Sequence, residues 1–243
     1  MSFPQTIMGK YGWEKVTTTS QKHKLGTRMQ IADREFVYAF TGEAITTGLL
    51  AKSHTGTDAE QRNLAVLAQS AGGTTITLSG TLTITEDEYK DGWIVLTNAA
   101  EEGHMYRIKS NTAVTSAANC VVTIDEEDGL VTAITTATKV GLHMNPYKDV
   151  EVHDYNGVDA SPLGWTCVDI ADDAYGWLCV KGFTAALMDG TPGAGVPLIA
   201  SDAVDGAVEI YNEDGTANLA IVGYNGPLAG TDGEYALIKA NIE

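Results

Sequence analysis

What most constrains this chain is a long succession of short runs in which apolar and polar side chains alternate, each broken off by turn residues. Residues 75–78, 82–85, 93–96, 106–109, 121–124 and 138–142 all follow this pattern. A period of two puts one set of side chains in a core and the other in water, as in a half-buried strand. Gly, Asn and Asp clusters separate the runs at the even spacing of sandwiches and barrels. The pattern resumes at 197–200, 207–211, 220–224 and 235–242. Trp165-Thr166-Cys167-Val168 and Trp177-Leu178-Cys179-Val180 flank Ala171-Asp172-Asp173-Ala174, which reads as a hairpin whose tryptophans pack in the sheet. A second hairpin reads from Gly26 to Phe40, turning at Ala32-Asp33-Arg34, with Phe36, Tyr38 and Phe40 on one face.

The expected fold is therefore mostly β, with short antiparallel strands forming a β-sandwich or barrel, as one domain or two small β subdomains, and an extended N-terminal arm. Hydrophobic residues at 44% and charged residues at 19% suffice for a buried core. Proline cannot continue a central strand, so Asn145-Pro146-Tyr147 marks an internal boundary. The expected division is 1–40 as arm and first hairpin, 41–150 as a β domain, and 151–243 as a C-terminal β domain. Within 57–69 two patterns compete. Thr57-Asp58-Ala59-Glu60 has capping-box spacing, whereas Leu64, Val66 and Ala68 alternate as a strand does. Strand, Gly72-Gly73 turn, strand is the preferred reading.

Charge is unevenly placed. The chain carries −17 overall. Residues 1–34 hold six basic and two acidic side chains, a net +4, which leaves −21 on the remainder. An acidic body repels phosphates, which argues against nucleic acid as a partner. The basic stretch suits an acidic partner surface or a neighbouring acidic copy of the chain. It is polar and Thr-rich, and Phe3, Tyr11 and Trp13 are its aromatic side chains. Aromatics on a polar arm serve docking as readily as local packing. Phe3, Lys10, Tyr11, Trp13, Lys15, Lys22, Lys24 and Arg28 are the candidate partner-binding residues.

Catalytic signatures are not found. There is no GxSxG elbow, no P-loop and no GxGxxG motif opening a helix. His23, His54, His104, His143 and His153 are widely spaced, and Cys120, Cys167 and Cys179 lack metal-ligand spacing. These three cysteines read as reduced thiols. Acid pairs such as Glu86-Asp87-Glu88, Glu101-Glu102, Asp172-Asp173 and Glu213-Asp214 are uninformative among 32 acidic residues. Asp125-Glu126-Glu127-Asp128-Gly129 lacks the alternating acids and distal Glu of a calcium loop. No apolar run is long enough to span a bilayer, and the first residues lack a charged segment followed by an apolar one. The expectation is a non-catalytic protein with no cofactor, metal or membrane partner.

Several short motifs, in order along the chain, resemble those of tailed-bacteriophage virion proteins of the capsid decoration, or cement, type. Gly26-Thr27-Arg28 followed by Phe36-Val37-Tyr38-Ala39 is similar to a GTR, turn, F-x-Y-A pattern. The run from Gly103 to Ser110 resembles a GYxYRIKS strand, and Asn145-Pro146-Tyr147 a subsequent NPY. Leu187-Met188-Asp189-Gly190-Thr191, and Ile221-Val222-Gly223-Tyr224 with Glu234-Tyr235, resemble the C-terminal motifs. Val37, Phe40 and the unusually acidic body depart from the pattern. The resemblance implies a protein made in a host cytoplasm that binds the outer surface of a shell of major capsid protein, commonly as a trimer, and reinforces the head. The alternative expectation is a tail-associated or head-fibre module that grips host-surface glycans, with Trp93, Trp165 and Trp177 as its platform.

Overall fold

The computed structural model describes residues 6–54, 62–80, 82–115, 118–154, 161–211 and 220–242. Almost all regular structure among them is β, as the alternation indicates. The strands are β1 (Thr6–Met8), β2 (Arg28–Ile31), β3 (Arg34–Phe40), β4 (Leu50–Lys52), β5 (Leu64–Val66), β6 (Thr75–Ser79), β7 (Thr83–Ile84), β8 (Trp93–Asn98), β9 (Met105–Asn111) and β10 (Val114–Thr115). They continue with β11 (Cys120–Ile124), β12 (Lys139–His143), β13 (Glu151–Val152), β14 (Pro162–Thr166), β15 (Tyr175–Leu187), β16 (Pro197–Ala200), β17 (Val208–Ile210), β18 (Gly223–Asn225) and β19 (Tyr235–Asn241). One 3-10 turn lies at Trp13–Lys15.

The chain divides into two compact units, Met1–Thr55 with Pro146–Glu243, and Gly56–Asn145. This differs from the division at 40 and 150 expected from local pattern. The boundary at Asn145-Pro146 lies where proline indicated it, but residues 151–243 do not form a separate C-terminal domain. β3 pairs with β15, and β4 pairs with β13 and β14, so both ends of the chain share one sheet. Pairings between distant segments leave no local mark in a sequence.

The unit spanning Gly56–Asn145 is a closed antiparallel barrel in the order β11-β6-β5-β12-β8-β9, with β7 and β10 as a separate two-stranded ribbon. Its interior is filled by Ile76, Leu78, Ile94, Leu96, Ile108, Val122, Val140 and Leu142, all fully buried. Closure removes the open edges through which sheets aggregate. The strand reading of Leu64–Val66 holds, while Thr57–Glu60 lies outside the described residues. Asn111 is buried and fully used: its Oδ1 accepts from Tyr89 N at 2.8 Å and its Nδ2 donates to Thr85 O at 2.8 Å. Buried Glu101 accepts from the Tyr106 hydroxyl at 2.7 Å and from Thr132 N. That hydroxyl in turn accepts from Val131 N at 3.1 Å.

The other unit is built on β15. This strand of thirteen residues pairs with β3 from Tyr175↔Phe40 to Lys181↔Glu35, with β14 at Trp165↔Cys179 and Thr166↔Leu178, and with β19 from Lys181↔Asn241 to Leu187↔Tyr235. Beyond β3 lie β2 and β1, and beyond β19 lie β18, β16 and β17. A bulge between Cys179 and Lys181 marks where the pairing with β3 ends. Gly182 comes next with φ +91, and a Cβ there would stand 2.6 Å from the Asp33 carbonyl oxygen. Only glycine takes that conformation so close to a backbone oxygen without strain. The expected aromatic face of β3 is present. Phe36 and Tyr38 are buried and Phe40 packs beside them, with Tyr38 5.0 Å from Trp177 and Phe40 4.7 Å from Tyr175 between ring centres.

His153 and Lys52 form a partly buried titratable cluster in this unit. His153 is buried, and burial holds its imidazole below the ordinary value of 6.5, against the opposing pull of Asp154 and Asp205. Burial also disfavours the Lys52 ammonium, but hydrogen bonds and charge from Asp154 and Glu151 outweigh it and hold the amine above its ordinary value. A histidine kept neutral by the fold binds its proton more readily when unfolded. Its contribution is complete above about pH 6.5 and is lost as pH falls toward its lower folded value. His153→Gln is expected to flatten the loss of unfolding free energy as pH falls below about 6.5, measured by urea titration across pH. Parallel curves for the two proteins would contradict this role.

Candidate docking surface

The predicted partner-binding residues fall into two groups, and Phe3 lies outside the described residues. The first group is held by an ion pair between a buried carboxylate and a partly buried guanidinium. Glu14 in the 3-10 turn is 4% exposed, accepts from Gly12 N at 2.7 Å, and faces Arg34 of β3 at 3.7 Å. Gly12 itself has φ +98, a left-handed conformation that suits glycine. This clamp fixes the turn while Lys10, Tyr11, Trp13 and Lys15 all point to solvent, Tyr11 being 73% exposed. The Lys10 ammonium lies 5.7 Å above the Trp13 ring, and Met8 and Val16 extend the exposed apolar surface. Upstream, β1 runs parallel to β2, with Thr6 opposite Arg28 and Met8 opposite Gln30.

The second group lies along the hairpin. Lys22 N donates to the Tyr38 hydroxyl at 3.1 Å, and the His23 ring meets Tyr38 edge-on at 5.1 Å. Burial holds His23 below its ordinary histidine value. The Lys24 carbonyl accepts from Thr27 Oγ1 at 2.7 Å, and Arg28 pairs with Glu35 at 3.6 Å. Thr18 exchanges backbone hydrogen bonds with Tyr175, at 3.0 and 2.8 Å. The described part of the arm is irregular and runs along its own unit. The aromatic–basic cluster is presented from there and does not hang free of the body.

Sequence reasoning missed a larger feature. On β15, Phe183, Ala185 and Leu187 alternate with the buried Thr184 and Ala186. Their partners on the same face are Lys239, Leu237 and Tyr235 of β19, and Tyr224 of β18 lies opposite Lys239. Phe183, Tyr224, Tyr235 and Leu237 are each 42–52% exposed. Directly opposed cross-strand residues share a face, so these side chains form a largely apolar face in which the exposed Lys239 stands between Phe183 and Tyr224. Isolated exposed apolar residues are ordinary, but a contiguous patch marks an interaction site. The available signal was the run Tyr235-Ala236-Leu237-Ile238, apolar at both phases, as in a sheet covered on both faces.

Trp165 is fully buried and Trp177 nearly so, as their reading as sheet-packing residues has it, which removes two of the three candidates for a glycan platform. Trp93 is half-buried on the barrel, beneath the Arg107 guanidinium at 4.7 Å. A shallow, open depression of about 440 Å³ is lined by residues 17–20, Lys22, Ala171 and Ala174, among them four hydroxyl side chains and one amine. No group of three or more His, Cys, Asp or Glu side chains is placed to hold a metal among the described residues. Asp125–Asp128 forms no such group, and Glu126 Oε1 instead accepts from Arg107 N at 3.0 Å. Comparison with family models, with curated proteins and with solved structures gave no match.

The clamp has a direct consequence. Removing Glu14 takes away the carboxylate that accepts from Gly12 and faces Arg34. Glu14→Ala is expected to free the turn and to speed tryptic cleavage after Lys10 and Lys15 at least about tenfold under native conditions, because about 1.4 kcal/mol of easier opening gives that factor. Unchanged cleavage rates, read by mass spectrometry, would show that Glu14 does not hold the segment.

Proposed function

We propose that this protein is a capsid decoration protein, a non-catalytic module that binds the outer surface of a shell of major capsid protein and stabilises the assembled head. The observation that carries the reading is the exposed, largely apolar face of Phe183, Tyr224, Tyr235 and Leu237, with Lys239 among them, on a chain of net charge −17. A strongly acidic protein stays soluble and resists self-adhesion, so a patch of this kind is best explained as a contact area. The exposed Lys10, Tyr11, Trp13 and Lys15 supply a second contact, with basic charge where an acidic partner surface would be met. The ordered motifs, from Gly26-Thr27-Arg28 to Glu234-Tyr235, support the same class.

The physical logic is mass action. A protein that binds the assembled shell and not its dissociated subunits stabilises the shell by the free energy of that binding. Repeated over a symmetric lattice, moderate contacts sum to a large effect. A closed barrel suits an exposed position, since it offers no strand edge to neighbouring particles. The same reading has the protein act as a trimer at local symmetry positions.

The test is co-sedimentation with undecorated shells, then heating of the particles. Saturable binding and a raised disruption temperature are expected. Leu237→Asp with Phe183→Asp, or Tyr11→Ala with Trp13→Ala, should each weaken binding at least about tenfold, as loss of central aromatic or aliphatic anchors does. Absence of binding to intact shells would overturn the reading.

A further inference from the structure

Two of the three cysteines come together in a way that neither their spacing nor docking explains. The register pairs Trp165 with Cys179 and Thr166 with Leu178, so Cys167, just past β14, lies diagonally from Cys179 on the same face. Both pack in one cluster with Phe36 and Trp177. Arg34, from the strand on the other side of β15, reaches across and donates from Nη2 to Cys167 Sγ at 3.1 Å. Its other amino group faces Glu14 at 3.7 Å, and its plane lies 4.7 Å from the Phe36 ring. Its Nε is buried with no partner among the described residues. Thr184 Oγ1 lies 3.9 Å from Cys167 Sγ, and the Cys179 thiol donates to the Lys181 carbonyl at 3.6 Å. Cys167 is half-buried, whereas Cys179 is fully buried.

This arrangement separates the two thiols by role. The neighbouring Cys179 side chain and the Arg34 guanidinium together outweigh burial and bring Cys167 down to about 6. The same contact and burial push Cys179 well up. A thiolate beside a guanidinium and within reach of solvent is the nucleophile in thiol–disulfide exchange, and a buried neighbouring thiol is the group that resolves it. Cys120 provides an internal contrast. It is buried in the barrel, its thiol donates to Thr112 O at 3.3 Å, and burial pushes its pKa up, which keeps it a thiol.

We propose that Cys167 and Cys179 form a redox-active dithiol, with Arg34 positioning the Cys167 thiolate, which is oxidised by small soluble disulfides to a Cys167–Cys179 bond. In the first step the Cys167 thiolate attacks one sulfur of the small disulfide. The old sulfur–sulfur bond breaks, a Cys167 mixed disulfide forms, and the displaced thiolate leaves and takes a proton from water. In the second step Cys179 gives its proton to solvent and attacks the Cys167 sulfur, and the second small thiolate departs and is protonated. Two protein thiols are oxidised and one small disulfide is reduced to two thiols. The product ties β14 covalently to β15, so oxidation stiffens the strand pair at the centre of this unit.

The experiment uses the full chain, native, with oxidised glutathione as the probe. Two of its three thiols are expected to disappear, the intact mass to fall by two hydrogens, and a tryptic map to join the Cys167 and Cys179 peptides while Cys120 stays free. Cys179→Ser should halt the reaction at one glutathione on Cys167. In the unaltered reduced protein, iodoacetamide should label Cys167 at least about tenfold faster than Cys120. Arg34→Lys should slow that labelling while leaving Cys120 unchanged, a selectivity that general loss of structure would not produce. Three free thiols after glutathione treatment, or equal labelling of Cys167 and Cys120, would overturn the proposal.

Discussion

The unit built from the two ends of the chain depends on a single long strand. β15 has β3, β14 and β19 all bonded to its backbone, so it carries the pairings that bring residues 28–40, 162–166 and 235–241 together. Backbone groups buried in a sheet must find partners, and β15 meets that need by changing partner along its length. The bulge at Cys179 and the left-handed Gly182 make the change possible. One consequence is chemical. The strand that holds the sheet together also brings Arg34, Cys167 and Cys179 to one place. The other concerns shape: its C-terminal half, paired with β19, turns apolar side chains outward on one face.

Polar interactions do the positioning that hydrophobic burial cannot. The cores fill with aliphatic and aromatic side chains, whose attraction is not directional. Position is set instead by a few buried polar groups. Asn111 ties the end of β9 to the segment around Tyr89, Glu101 joins Tyr106 to the backbone at Thr132, and Glu14 holds the N-terminal turn to Arg34. Each of these would be costly if unpaired, so each selects one arrangement among many of similar burial.

How far this was legible in the sequence depends on how local each signal is. Alternation is local, and residues 197–200 read as a strand coincide with β16, while 75–78, 93–96 and 121–124 fall within β6, β8 and β11. The hairpins around Ala32-Asp33 and Ala171–Ala174 were legible from turn chemistry, Ala32 taking φ +53 as such a turn requires. The pairing of Phe36 with Cys179 was not legible, because register between distant strands is decided by packing. For the same reason the extent of the barrel unit was missed on its N-terminal side. Of the candidate site, the exposed Lys10, Tyr11, Trp13 and Lys15 were found from composition. The clamp beneath them was not, since a lone Glu in a basic stretch gives no hint that it is buried. Phe183 and Leu237 escaped because an outward apolar residue on a strand looks like an inward one until its neighbours are known.

The central claim is that the protein docks through the β15–β19–β18 face and the N-terminal turn. Hydroxyl-radical footprinting of the protein free and bound to undecorated shells tests it most directly. Met8, Tyr11, Trp13, Phe183, Tyr235 and Leu237 should lose reactivity on binding, while Met105 and Val131, exposed on the barrel unit, should keep theirs. Protection confined to the barrel unit, with Tyr11, Phe183 and Tyr235 as reactive as in the free protein, would contradict the account.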